Sequence, residues 1–348
     1  MKIAIIGNRE SQNTKSWTKE LSAIEGVNVI NWSFSIPGRV SLAQKIVLLL
    51  DYFALKKWLR QNKPDIIIGY RLSSYGFLSA LTGFRPLVVA GQGAADIWTT
   101  NPIVRTALSW MIKFTVKRAD MIHCWAPHMV PRAIKTEHER NKVLVKTRGI
   151  DLTKFNLIDR KREQRIRMIV TRSLFSEYRH LDILKAVALV QEQEPDIMLC
   201  VAGKGPLKNE LMNQCEILKI QSKVTFLGEV DHNDLPTLLK SADIYLSVPE
   251  TEGASASLFE SMACGCFPIV SDLPGNRHYI TPHKKNGILV PLGDTQQLAA
   301  AVLTAIKDPE MRERAAIENF NYISEEVDAK KNIKIFVDHY RRLIDSRS

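Results

Sequence analysis

The chain has no apolar run long enough to cross a bilayer: its longest, such as 46–50 and 66–68, fall far short of the ~20 residues that a spanning helix needs. The opening Met1-Lys2-Ile3-Ala4-Ile5-Ile6-Gly7 carries one basic residue and too short an apolar stretch for a secretory leader. It reads instead as a first strand, and a cytoplasmic protein is expected. Cysteine is sparse: five residues, at 124, 200, 215, 264 and 266, in no pairing pattern. Reduced thiols are therefore expected rather than a disulfide framework. Cys264-Gly265-Cys266 has no second Cys/His pair at zinc-like spacing, and no Asp-x-Asp triplet occurs, so no metal and no other cofactor is expected. The eight histidines form no triad or ligand pattern, and His123 and His128 read as structural.

Acidic charge is scarce in one half only. Residues 1–150 hold 22 Lys/Arg against 9 Asp/Glu, while 151–348 hold 26 against 28. All six tryptophans (17, 32, 58, 98, 110 and 125) lie in the basic half. A solubilising surface accounts for this, and so does an anionic acceptor or an anionic membrane face docking there. Nucleic acid is not expected, because no RRM-like aromatic motif or zinc finger is present and the basic residues are dispersed. In the long helical pattern 41–61, Lys45, Lys56, Lys57, Arg60 and the adjacent Lys63 accompany Leu49, Phe53 and Trp58. Phe53 and Lys57 stand four apart, which suits a helix lying at an anionic lipid surface or a core-facing helix with a solvated basic flank.

Short β-branched runs alternate with amphipathic stretches. They fall at 3–6, 27–31, 65–68, 87–89, 121–123 and 143–145, then after a break at 168–171, 197–202, 224–227, 244–247, 268–270 and 288–290. This alternation is that of parallel sheets covered by helices on both faces. Thr147-Arg148-Gly149-Ile150-Asp151-Leu152 and the charged stretch 159–167 interrupt it. The expected architecture is α/β, with two facing Rossmann-like domains and a cleft between them: 1–150 for the acceptor, 151–328 for a nucleotide. A last helical pattern, 329–348, is expected to pack back towards the first domain.

The most informative stretch is Pro249-Glu250-Thr251-Glu252-Gly253-Ala254-Ser255-Ala256-Ser257-Leu258-Phe259-Glu260-Ser261-Met262-Ala263-Cys264-Gly265. A strand ends, a loop of small residues follows, and a helix starts near Ala256. Gly253, Ala254 and Ser255 let a ligand approach the backbone, and the N–H groups of Ala256, Ser257 and Leu258 open an anion site for a diphosphate. Glu252 and Glu260 flank it, suited to accept hydrogen bonds from sugar or ribose hydroxyls. A helix with dipole-favouring acids at its start has the same composition. Gly203-x-Gly205-Pro206 lacks the third glycine of a dinucleotide loop and reads as a strand-to-helix turn.

Glu252 and Glu260, with seven residues between them and followed by Ser-Met-Ala-Cys-Gly, resemble the E-x7-E signature of family-4 retaining glycosyltransferases of the GT-B fold. Pro268-Ile269-Val270-Ser271-Asp272, Gly275-Asn276-Arg277, Asn286-Gly287-Ile288-Leu289-Val290 and Val201-Ala202-Gly203-Lys204-Gly205-Pro206 extend the likeness over 148–345. The resemblance implies that Glu260 binds ribose hydroxyls, Glu252 the transferred sugar, and the Ala256 and Ser257 N–H groups the diphosphate. It makes Arg172 a phosphate ligand. The usual lysine some five positions later is absent, and Arg179 is expected to supply that second charge. Gly228 and Val230 would meet the base edge through backbone groups. Gly7 and Asn8 after the first strand, and Gln92 and Asp96 after the fourth, are candidates for acceptor or cleft contacts; a plain β–α turn explains Gly7 and Asn8 equally. Where many members have a histidine, this chain has Gln92 and Asp96.

The implied reaction is retaining transfer of a sugar from a nucleotide-diphosphate sugar, UDP favoured over GDP, to a glycan or lipid-linked acceptor in surface-polysaccharide synthesis. A nucleotide-sugar epimerase, an inverting transferase on the same fold, and a non-catalytic sugar-nucleotide-binding protein remain open.

Overall fold

In a computed structural model the protein is described over residues 1–33, 42–91, 102–134, 137–158, 165–281, 283 and 285–347. The chain divides into two compact units, Met1–Thr147 with Lys330–Ser348, and Arg148–Ala329.

The first unit holds strands β1 (Lys2–Ile6), β2 (Asn28–Trp32), β3 (Ile66–Tyr70), β4 (Leu87–Gly91), β5 (Met121–Cys124) and β6 (Val143–Val145). They form one parallel sheet in the order β2-β1-β3-β4-β5-β6. β3 and β4 are buried at every residue, which is why they read as continuous apolar runs rather than alternations. Its helices are α1 (Gln12–Ser22), α2 (Leu42–Asn62), α3 (Gly76–Thr82), α4 (Pro102–Arg118), α5 (Val130–Ala133) and α6 (Glu137–Arg140). In α2, Asp51, Leu55 and Leu59 turn inward at four-residue spacing while Phe53 stays 59% exposed.

The second unit holds β7 (Ile166–Val170), β8 (Ile197–Ala202), β9 (Val224–Gly228), β10 (Ile244–Ser247), β11 (Phe267–Ser271) and β12 (Ile288–Val290), parallel in the order β12-β11-β10-β7-β8-β9. Between them run α7 (His180–Gln191), α8 (Lys208–Ile217), α9 (Leu235–Lys240), α10 (Ala256–Ala263) and α11 (Pro274–Arg277). Two further helices, α12 (Thr295–Lys307) and α13 (Pro309–Glu326), follow the last strand. All twelve expected strands are present, with bounds differing by at most two residues.

The last helix, α14 (Ala329–Asp345), buries Ile333, Phe336, Val337 and Tyr340, a single stripe at i, i+3, i+4 and i+7. These residues share one core with Ile3, Ile5, Trp17, Leu21, Ile66 and Ile68 of the first unit. Within the second unit Ile150 is zipped to the returning chain: its N–H donates to Val327 O at 2.8 Å, and Ala329 N–H donates to Ile150 O at 3.0 Å. Among the described residues no helix is long and apolar enough to cross a membrane.

Candidate donor-binding site

The strand order of the second unit reverses at β7: the chain runs outward to β8 and β9, then returns beside β7 as β10. Loops leaving the carboxyl ends of β7 and β10 therefore part from each other and leave a crevice, where ligands of open α/β sheets bind. Arg172 follows β7, and residues 249–255 follow β10.

α10 is built to present its N-terminus there. Ser255, in extended backbone geometry (φ −80°, ψ 105°), caps it by accepting from Leu258 N–H with its hydroxyl. The helix ends in a Schellman arrangement, with Gly265 N–H donating to Met262 O and Cys266 N–H to Ser261 O. The expected anion site needs one correction: the Leu258 N–H is occupied by the Ser255 hydroxyl at 3.4 Å, because Ser at the cap position satisfies the N3 donor. Ala256 and Ser257 N–H have no acceptor among the described residues.

Arg172 reaches over this N-terminus. Its Nη1 donates to the Ser257 hydroxyl at 2.8 Å and the Ser255 hydroxyl at 3.2 Å, and its Nη2 donates to Glu252 Oε2 at 2.7 Å. Tyr178 lies under the guanidinium at 4.6 Å, and the Tyr245 hydroxyl donates to Ser257 Oγ at 2.9 Å. Arg172 Nε is buried and without a partner among the described residues. Burial is the largest single influence and opposes the Arg172 charge, but the Glu252 carboxylate together with Tyr245 and Tyr178 outweighs it and holds the pKa above the ordinary guanidinium value. Burial likewise pushes the Tyr245 hydroxyl up, and it pushes His180, whose ring bonds Ser173 O, down.

The turn Gly203-x-Gly205 has a structural task. A Cβ at Gly203 would stand 2.1 Å from Arg172 O, and one at Gly205 2.4 Å from Leu174 O. The loop after β8 thus packs directly on the backbone that carries Arg172. Gly275 does the same for the β10 loop, its absent Cβ lying 2.6 Å from Gly253 O. Gly253 N–H itself donates to Glu252 Oε1 at 3.1 Å, and Ala254 packs against the core beneath α10.

Glu260 is buried on α10, and its Oε1 lies 2.9 Å from Nε2 of His232, in the loop after β9. His232 was not expected from the residues. The base-edge candidates Gly228 and Val230 stop just short of it in the same loop, so position after β9 was its only sequence signal. Gly228 adopts φ +72° at the end of β9, and Val230 is half-buried.

Arg179 stands apart from the Arg172 cluster. Its Nε donates to Asp182 at 2.7 Å and its Nη1 to Glu250 at 3.4 Å. In the first unit Gly7 and Asn8 build the start of α1. Gly7 N–H donates to Trp32 O, Asn8 Oδ1 accepts from Glu10 N–H, and Asn8 O accepts from Ser11 N–H. Gln92 and Asp96 lie outside the described residues. His123 is a core side chain, with its Nε2 2.9 Å from Lys146 O and its ring against Phe336. Among the described residues no three His, Cys, Asp or Glu side chains cluster as a metal site.

Two parallel six-stranded units and a cationic, hydroxyl-lined crevice at a strand-order reversal define the class of GT-B glycosyltransferases. Residues 155–321 match the glycosyl transferases group 1 family and residues 4–125 the glycosyl transferase 4-like family. The chain belongs to the GT-B glycosyltransferases of the family-4 type and is an enzyme of the hexosyl-transferring kind. It is 25% identical to the UDP-Gal:alpha-D-GlcNAc-diphosphoundecaprenol alpha-1,3-galactosyltransferase of Escherichia coli, over 79% of this chain and 75% of that one. It is 31% identical to the alpha-monoglucosyldiacylglycerol synthase of Streptococcus pneumoniae, over 45% of this chain and only 35% of that enzyme's length. Among solved structures, Anabaena HepE in complex with UDP superposes with a TM-score of 0.75 at 15% identity, covering 99% of this chain and 100% of HepE.

Proposed function

We propose that the protein is a retaining glycosyltransferase that moves a hexose from a nucleotide diphosphate, UDP in preference to GDP, to a glycan or lipid-linked acceptor in surface-polysaccharide synthesis. The observation that carries this reading is the Arg172 guanidinium held over the N-terminus of α10 by Ser255, Ser257 and Glu252. UDP is favoured because the E. coli relative is named for UDP-galactose and HepE binds UDP. A lipid-linked acceptor is favoured because one relative is named for a GlcNAc-diphosphoundecaprenol and the other as a synthase of a monoglucosyldiacylglycerol.

Cleaving a glycosyl–phosphate bond develops positive charge on the sugar and negative charge on the leaving diphosphate. Arg172, largely shielded from solvent, and the Ala256 and Ser257 N–H groups stabilise that leaving charge. An entering diphosphate replaces Glu252 at Arg172, which frees the Glu252 carboxylate to accept from hydroxyls of the transferred sugar. Glu260 accepts from the ribose. Arg179 offers a second cation to the diphosphate once Glu250 yields it, Asp182 still holding its Nε. The leaving phosphate oxygen takes the acceptor proton on the same face, giving retention without a protein base. No metal takes part, since the cationic side chain and helix N-terminus do its work.

A membrane-facing role is supported by the first unit's surface. In α4, Trp110 is 59% exposed, stacks on Phe114 and meets Phe77 edge-on, while Lys113, Lys117 and Arg118 flank it and no acidic residue occurs between Pro102 and Arg118. On α2, Phe53 and Lys57 are exposed together. This is the composition of a surface that settles at the cytoplasmic face of an anionic bilayer.

The test is transfer from a panel of UDP- and GDP-hexoses to diphosphoundecaprenol-linked saccharides, in EDTA, with product anomericity read by NMR. Free nucleotide release with a product of retained configuration is expected. Inverted configuration would remove the retaining mechanism. Activity lost in EDTA and restored by magnesium or manganese would remove the metal-free charge argument.

A further inference from the structure

Glu260 is buried on α10 with, among the described residues, one partner for its carboxylate: the imidazole of His232, 2.9 Å away. That imidazole is itself 62% exposed and rests on the ring of fully buried Phe155, centroids 5.2 Å apart. The loop that carries it is rigid locally, because Asp231 Oδ1 accepts from Asn233 N–H and Asp231 O from Asp234 and Leu235 N–H. A buried carboxylate is thus covered by a side chain that can swing into solvent. The two oxygens of Glu260 are the acceptors that a ribose diol would need.

We infer that His232 is a positioning residue for the donor: it holds the Glu260 carboxylate ready in the empty site and yields it to the nucleotide ribose, so that its protonation tunes nucleotide affinity. This rests on Glu260 being the ribose acceptor. The charged groups facing His232 are Glu260 from α10, Lys154 from the turn after Ile150, and Asp231 from its own loop. The Glu260 hydrogen bond leads in raising the His232 pKa above its ordinary value, burial and Lys154 opposing. A ribose that takes over Glu260 removes that support, so the His232 pKa falls on binding and a proton leaves. Affinity therefore rises with pH through the window from the ordinary imidazole value up to the raised one, and flattens above it.

The experiment is calorimetric titration of the full chain with UDP and with GDP, between about pH 5.5 and 8, in buffers of different ionisation enthalpy. The terminal phosphate of UDP titrates in the same range, so the quantity read is the difference between wild type and variant. The wild type is expected to tighten about 3- to 10-fold more over that range than His232→Ala, with a corresponding excess of released protons. His232→Gln, which still donates to Glu260 but does not titrate, is expected to behave as His232→Ala does in proton release. Equal pH slopes and equal proton release in wild type and both variants would overturn the role of His232. Glu260→Gln separates this from the underlying reading. If it binds UDP as the wild type does, the ribose assignment fails; if it binds weakly while His232 shows no linkage, only the present inference fails.

Discussion

A guanidinium bound to one carboxylate, two hydroxyls and an aromatic face, yet with its Nε unpartnered among the described residues, is poised for an anion rather than satisfied by its neighbours. Arg172→Lys keeps the charge but loses the planar fork, and kcat/KM is expected to fall about 10²- to 10³-fold, measured by nucleotide release. The Arg172–Glu252 pair has only 15% and 11% of its side chains exposed, so removing the carboxylate leaves a poorly solvated charge. Glu252→Ala is expected to lower apo stability by roughly 2–4 kcal/mol and to depress turnover without weakening UDP binding. UDP should then raise Tm more in Glu252→Ala than in wild type, because the diphosphate supplies the missing counter-charge; an equal or smaller shift would count against the exchange. That Arg172, Glu252, Ser255 and Ser257 meet was legible only through the family resemblance, which places them after β7 and around α10; the residues alone left a surface arginine and a helix with dipole-favouring acids equally open. The direction of Arg179 was not legible. Asp182, three residues on, and Glu250 share its guanidinium, and sequence spacing does not reveal which acid a flexible side chain chooses.

At the scale of elements, the crevice is shaped as much by missing atoms as by side chains. The β8–α8 loop lies so close on the Arg172 backbone that a Gly203 Cβ has no space, at 2.1 Å from Arg172 O. Backbone, unlike a flexible side chain, yields only by moving β7 or the loop. Gly203→Ala is expected to cost about 1–3 kcal/mol of stability and to weaken UDP binding as well, since Arg172 moves with its carbonyl. Thermal unfolding and calorimetry on the same protein check both; a stability loss with unaltered UDP affinity would mean that Arg172 is held elsewhere. The strands, the start of α10 and its glycine stop were readable from periodicity and capping chemistry, which are local. The task of Gly203 was not: as a turn residue it looks ordinary, and only the tertiary approach of two loops separated by some thirty residues gives it a reason. The same holds for His232, whose link to Glu260 joins β9's loop to α10 across the fold.

At the scale of the whole chain, the uneven charge is a property that no single element explains. The first 150 residues have an excess of 13 positive charges, and the rest are nearly balanced. Part of the sequence expectation for α2 concerned a helix with an exposed basic and aromatic border, and the structure assigns its core stripe to Asp51, Leu55 and Leu59. Phe53 is left outside with Lys57. A larger aromatic cluster joins α4 to α3, where Trp110 and Phe114 meet Phe77 and Arg118 packs on the Phe114 ring at 5.3 Å. Periodicity did not single out α4, because an apolar stripe facing solvent reads like one facing a core. Aromatic groups at headgroup depth with lysines and arginines beside them gain about 1 kcal/mol per basic residue from an anionic surface, and salt screens that gain. Sedimentation with vesicles is therefore expected to show binding to phosphatidylglycerol-containing bilayers at low salt, weakened at high salt and nearly absent from neutral bilayers. Trp110→Ser with Phe53→Ser should reduce binding severalfold while UDP affinity is unchanged, because neither residue lies in the donor-binding unit. Equal binding to neutral and anionic vesicles, or none at low salt, would show that the basic excess serves solubility or an anionic acceptor instead.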